Sequence, residues 1–147
     1  MTRKTDNKKN LASEKLGFEM LLEHYPKIVQ PSLVQKKRIL EVCNLPNLYL
    51  RSFDLLEMKV ADFADVKSTK DFVLIEVKVT RKFLQNFPKG FFFGMTENEE
   101  NLMRELGDSF LLCLVSVTES NFDHKFLNYE QLQTLIRTKR IQYQINL

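Results

Sequence analysis

The chain has 147 residues, a net charge of +3, 44% hydrophobic and 28% charged residues, and 12 Phe against 4 Gly, 4 Pro and no Trp. That length fits one domain, which buries roughly two-thirds of its unfolded surface and folds without a disulfide or metal, and the few Gly and Pro favour packed elements over long loops. No apolar run approaches the roughly 20 residues of a membrane helix, no secretory apolar stretch follows the basic start, and Cys43 and Cys113 have neither CxxC nor zinc spacing, so a cytoplasmic protein with reduced thiols and no membrane is expected.

Residues 1–12 are polar and basic and read as a flexible arm ahead of a single domain over 13–147. From Ser13, the positions Leu16, Met20, Leu21 and Tyr25 recur at helical spacing until Pro26. A second helix starts at Pro31–Ser32 and runs through Ile39 and Leu40 to a break at Asn44–Asn47. Leu48 to Met58 reads as one or two strands, and 61–71 as an exposed connection. Phe72 to Ile75 is continuously apolar and runs on through Val79, the pattern of a central strand covered on both faces. A basic loop over 80–90 precedes Phe91-Phe92-Phe93, expected in the sheet core rather than as a base-stacking platform.

Thr96 with Glu99 matches a capping box, opening a helix that stops at Gly107, with Asp108 as a turn residue. Ser109 to Val117 is another apolar strand, and Asn128 with Gln131 opens a further helix. Ile141 to Ile145 alternates apolar and polar residues, as a half-exposed closing strand does. The order predicts an α/β (α+β) domain on a mixed sheet flanked by helices.

The charge is unevenly spread. Lys27, Lys36, Lys37 and Arg38 fill one acid-free stretch, and Lys78, Arg81, Lys82 and Lys89 fill another. Such a pattern fits an uneven solvated surface, and it equally fits a basic rim that holds a phosphate backbone around a metal site.

Residues two apart on a strand share a face, so Glu76 and Lys78 point one way and Ile75 and Val77 the other. A carboxylate and an ammonium on so apolar a strand need partners, because burying either alone is unfavourable. Asp54, upstream, can fold back beside them. Two hard-oxygen acids then suit Mg²⁺, which keeps several waters and takes only one or two carboxylates. Lys78 would orient the attacking water or stabilise developing charge. The acid-x-Lys triplet alone is weak, since it also occurs at Asp6–Lys8, Glu57–Lys59, Asp65–Lys67 and Asp123–Lys125. The apolar run before Glu76 and the upstream Asp54 single it out; the plain alternative is a surface ion pair. His24 and His124 show no triad or metal spacing and read as surface or locally hydrogen-bonded residues.

Ser52-Phe53-Asp54-Leu55 followed by Ile75-Glu76-Val77-Lys78-Val79-Thr80 resembles the D…ExK core of the PD-(D/E)XK nuclease superfamily. The later order is similar to the domain at the C-terminus of plant NO VEIN proteins: Phe91 to Glu99, then Gly107-Asp108-Ser109-Phe110, then the apolar Leu111 to Val115. The likeness spans about 13–145, with departures at Ser52, Val79 and Ser109.

That resemblance implies a restriction-endonuclease-like mixed sheet. It makes Asp54 and Glu76 the metal-binding acids, Lys78 the catalytic lysine, Thr80 the hydroxyl residue that follows, and Glu19 a first-helix acid able to join the metal. The expected activity is a Mg²⁺-dependent endonuclease, with Mn²⁺ able to substitute, acting on nucleic acid and DNA above RNA. Lys36, Lys37, Arg38, Arg81, Lys82 and Lys89 would hold the backbone, alone or with a second copy or partner protein. The leading alternative is a catalytically silent nucleic-acid or protein-binding module of the same fold. A third reading, surface charges on an interaction protein, requires Asp54 and Glu76 to lie apart.

Overall fold

In a computed structural model of the chain, the backbone of residues 3–147 and the side chains of residues 12–147 are described. Helix α1 (Arg3–His24) begins earlier than the Ser13 start that the apolar spacing predicts. The arm expected over 1–12 is therefore helical from Arg3, with residues 1–2, and the side chains before residue 12, outside that description. Helices α2 (Leu33–Val42), α3 (Glu97–Leu106) and α4 (Tyr129–Leu135) follow. Each of these three opens on a capping box, Ser32 with Gln35, Thr96 with Glu99, and Asn128 with Gln131. The boxes satisfy backbone donors that the first turn leaves without partners.

Strands β1 (Ile28–Val29), β2 (Leu55–Met58), β3 (Phe72–Thr80), β4 (Phe110–Val117) and β5 (Phe122–Leu127) form one sheet in that order. β3 and β4 run parallel with α3 in the connection between them, and the other neighbours are antiparallel. β3 is central, as its unbroken apolar run predicts. On one face, Ile75 and Val77 pack with Cys113, Val115 and Leu21 of α1. On the other, Phe72 and Leu74 pack with Ile39 and Leu40 of α2, Leu102 and Met103 of α3, and Leu132 of α4. The result is an α+β domain with a mixed sheet between helices. No helix among the described residues is long and apolar enough to cross a membrane.

Three local expectations are corrected. The segment from Leu48 begins as a 3-10 turn (Asn47–Tyr49), and strand pairing starts only at Leu55. Phe91 to Phe93 is outside any strand. The closing strand over Ile141–Ile145 does not form: the edge position beside β4 is taken by β5, across a turn where Thr118 N–H donates to Asn121 O at 2.9 Å. The chain after α4 instead crosses to α3, where Lys139 Nζ lies 2.9 Å from Glu100 Oε2, and Ile141 and Tyr143 are about four-fifths exposed.

Gly17 is where α1 approaches the sheet closely, since a Cβ there would lie 3.0 Å from Val79 Cγ2. Gly17→Leu is therefore expected to lower stability by about 1–3 kcal/mol through overpacking. Urea denaturation measures it, and an unchanged midpoint would mean that α1 does not seat on β3 there.

Candidate active site

Asp54 is placed by the sheet before its side chain makes any contact. Its N–H donates to Ile75 O at 2.8 Å, continuing the Leu55–Ile75 pairing so that Asp54 falls opposite Glu76. Its Oδ2 accepts from Val77 N–H at 2.9 Å. The approach to Asp54 is pinned from α2. Lys36 Nζ donates to Phe53 O at 2.8 Å and to Leu50 O at 3.2 Å, and sits 5.0 Å from the Phe53 ring centre. Ser52 and Phe53 are buried, which fixes the segment from the other side.

Glu76 and Lys78 lie on the same face of β3, beyond Leu74, where Lys78 meets the first turn of α3. Glu76 is only 7% exposed. That burial, together with close pairing with Asp54, rules out the reading of a loose surface ion pair. Lys78 Nζ lies 3.6 Å from Glu76 Oε1 and donates to Glu99 Oε2 at 2.8 Å and Oε1 at 3.2 Å. Glu99 also closes the α3 capping box: its Oε1 accepts from Thr96 N–H at 3.3 Å, and its own N–H donates to Thr96 Oγ1 at 3.1 Å.

Burial, then the Asp54 and Glu99 charges, push the Glu76 carboxyl up to about 9, with Lys78 opposing them. Burial also raises Asp54, against the Val77 N–H, the contact with Glu76 and the charges of Lys36 and Lys78. Two acids this close in a poorly hydrated place resist ionising together. For Lys78, burial works against the ammonium, but the Glu99 hydrogen bond and the surrounding carboxylates outweigh it and raise its value. The lysine is therefore charged at neutral pH, fit to orient or stabilise an anion rather than to take a proton.

Glu76, Lys78, Thr80, Arg81 and Lys82 line one side of a groove of about 540 Å³. Thr80 Oγ1 accepts from Lys82 N–H at 3.2 Å, and Ser116 Oγ donates to Lys82 O at 2.8 Å, which together hold this end of β3. Phe92, 92% exposed, and Phe93 also line the groove, and Phe91 and Phe93 pack against the core. From α1 the groove receives Ser13 and Glu14. Glu19 is elsewhere, mostly exposed, 3.9 Å from Lys15 and lining a separate depression.

The expected backbone-binding residues divide. Arg81 and Lys82 reach the groove, whereas Lys36 turns inward. Arg38 pairs with Glu41 at 3.6 Å, and Lys37 and Lys89 are exposed away from the groove lining. Asp108 accepts from Asn128 Nδ2 at 3.3 Å, a turn contact. His124 bonds Tyr25 Oη and stacks on Phe122 at 4.8 Å between ring centres.

Reasoning on strand periodicity missed Glu99 and the inward role of Lys36. Glu99 had a signal as the third residue of a capping box, but nothing in that pattern says that the box opens beside Lys78.

Among the described residues, no three His, Cys, Asp or Glu side chains group as metal ligands. Asp54 and Glu76 are two, and Glu76 Oε2 is buried with no hydrogen-bond partner. An orphaned hard oxygen beside a second carboxyl fits a divalent cation of the Mg²⁺ kind, which fills most of its coordination with water.

Two outcomes follow. Because Glu76 holds its proton in the folded chain well above its ordinary value of 4.5, its contribution to stability declines as pH rises through the range up to about 9. Glu76→Gln should thus gain stability over wild type progressively from pH 4 toward about pH 9, measured by chemical denaturation in EDTA; parallel curves would show an ordinary carboxyl. Lys36→Met removes a donor from two carbonyls and should lower stability by about 1–3 kcal/mol, which thermal or urea unfolding reads directly.

No protein-family model, curated protein or solved structure matches the chain.

Proposed function

We propose that the protein is a metal-dependent nuclease that hydrolyses phosphodiester bonds in nucleic acid, with DNA as its foremost substrate. The observation that carries this reading is the buried Asp54–Glu76 pair with Lys78 beside it and Glu76 Oε2 lacking a donor. Two acids this close in a buried place resist ionising together, and a divalent cation there would favour the ionised form of both.

Asp54 and Glu76 would hold Mg²⁺ or Mn²⁺, which lowers the pKa of bound water and offsets charge on phosphate oxygens. Asp54 is kept in register by the Val77 N–H and by the Lys36 clamp on the preceding carbonyls. Lys78, charged and 17% exposed at its side chain, offers its protons to a phosphate oxygen or to the attacking water. Arg81 and Lys82 on the groove wall hold the flanking phosphates.

A second reading is the catalytically silent nucleic-acid or protein-binding module. The specific observation in its favour is that Glu99 engages Lys78 with both carboxylate oxygens, drawing the ammonium away from Glu76.

Titration calorimetry separates the two. Wild type is expected to bind Mg²⁺ or Mn²⁺ with release of protons, because the bound acids must ionise. The Asp54→Ala/Glu76→Ala variant should stay folded and bind neither ion. Glu76→Gln should cut cleavage of DNA by on the order of 100-fold or more; retained cleavage sinks the assignment. Wild type that takes up no metal even with DNA present leaves the binding module.

A further inference from the structure

Phe92 lies between two partly buried rings that pack against the core, of which Phe93 also lines the groove, and its own ring is exposed. Phe91 and Phe93 pack against the core cluster and meet edge to face at 5.9 Å between centres. Phe87 meets Phe91 in the same way at 6.2 Å. Those contacts fix the backbone on both sides of Phe92, so its ring is presented on a settled frame while remaining 92% exposed. A single exposed apolar side chain is common and needs no explanation by itself. The location is what separates Phe92 from such a case: it shares one groove with Glu76, Lys78, Arg81 and Lys82.

Cations that follow a backbone beside an aromatic face are the combination by which proteins hold single-stranded nucleic acid. In a duplex, the flat faces of the bases are covered by their neighbours, and only the edges and phosphates are offered to a protein. A ring standing free in the groove has a flat partner only where a base is unstacked.

We infer that the groove takes single-stranded nucleic acid, with one unpaired base stacked on Phe92 while Arg81 and Lys82 hold the phosphates beside the Asp54–Glu76–Lys78 centre. This rests on the nucleic-acid reading of the groove and narrows its substrate class. Stacking is indifferent to which base is present, so cleavage would be governed by strandedness more than by sequence.

The test is fluorescence anisotropy in the Glu76→Gln background, so that the strand stays intact. The probes are labelled single-stranded DNA, single-stranded RNA, duplex DNA, and a single strand of DNA with abasic positions. The parent should prefer single strands to duplex, and the two single-stranded arms tell which sugar the groove favours. Phe92→Ala should weaken single-strand binding by roughly 5- to 150-fold, with Phe92→Trp retaining it. The abasic strand should be insensitive to Phe92→Ala. Lys82→Ala, by contrast, should weaken all probes and reduce the salt slope by about 0.7. Since the Phe92 ring makes little contact with the core, circular dichroism should find Phe92→Ala as folded as the parent.

Equal binding by Phe92→Ala and parent, or a preference for duplex, overturns the inference and leaves the nucleic-acid reading standing. A parent that binds no strand of any kind overturns both.

Discussion

The Asp54 and Glu76 carboxyls are held together by main-chain geometry, and much of the surrounding structure is arranged around that adjacency. Antiparallel pairing of Leu55 with Ile75 carries Asp54 to a position opposite Glu76, and Asp54 then accepts the Val77 N–H. Like charges at close range in a poorly hydrated place raise each other's proton affinity, and the chain offsets this with cations from two different elements. Lys78 comes from β3 itself. Lys36 comes from α2 and acts at one remove, through the carbonyls that precede Asp54.

The start of α3 carries two tasks with one side chain. Glu99 completes the capping box with Thr96, a local helix device, and also anchors the Lys78 ammonium at 2.8 Å. Helix stability and lysine placement are therefore coupled. Loss of the Glu99 charge would leave a partly buried ammonium with Glu76 as its remaining close carboxylate, and the geometry at Glu76 would have to change in response. Burial along β3 follows the same logic: Leu74 is fully buried, Glu76 nearly so, and Lys78 emerges into the groove. The strand passes from core to groove within a few residues, with the start of α3 meeting it at Lys78.

The positive charges turn out less concentrated at the groove than their sequence clusters imply. Arg81 and Lys82 line it, and both sit directly after the last strand residues of β3. The α2 cluster of Lys36, Lys37 and Arg38 splits between a structural clamp, an exposed side chain and a local ion pair with Glu41. A helix sends residues 100° apart to different surroundings, so a run of like charges along it is seldom one surface.

Periodicity and local chemistry were enough to read much of this protein from its amino acids. The apolar run of β3 announced a strand covered on both faces, the spacing of two put Glu76 and Lys78 together, and the Thr96 and Asn128 boxes marked where α3 and α4 begin. These are short-range properties, set by side-chain alternation and by the donors of a first helical turn, and they need no knowledge of distant residues.

Long-range competition settled the rest. Ile141 to Ile145 has the alternation of a strand, but β5 lies beside β4 and the chain after α4 crosses to α3 instead. The site gained Glu99, with Glu14 lining its groove, and left Glu19 apart from that groove, because the seating of α1 and α3 on the sheet decides which residue of each helix faces it. Spacing along one element determines which side chains share a face. Which faces meet depends on packing between elements distant in sequence, and only the folded chain holds that information.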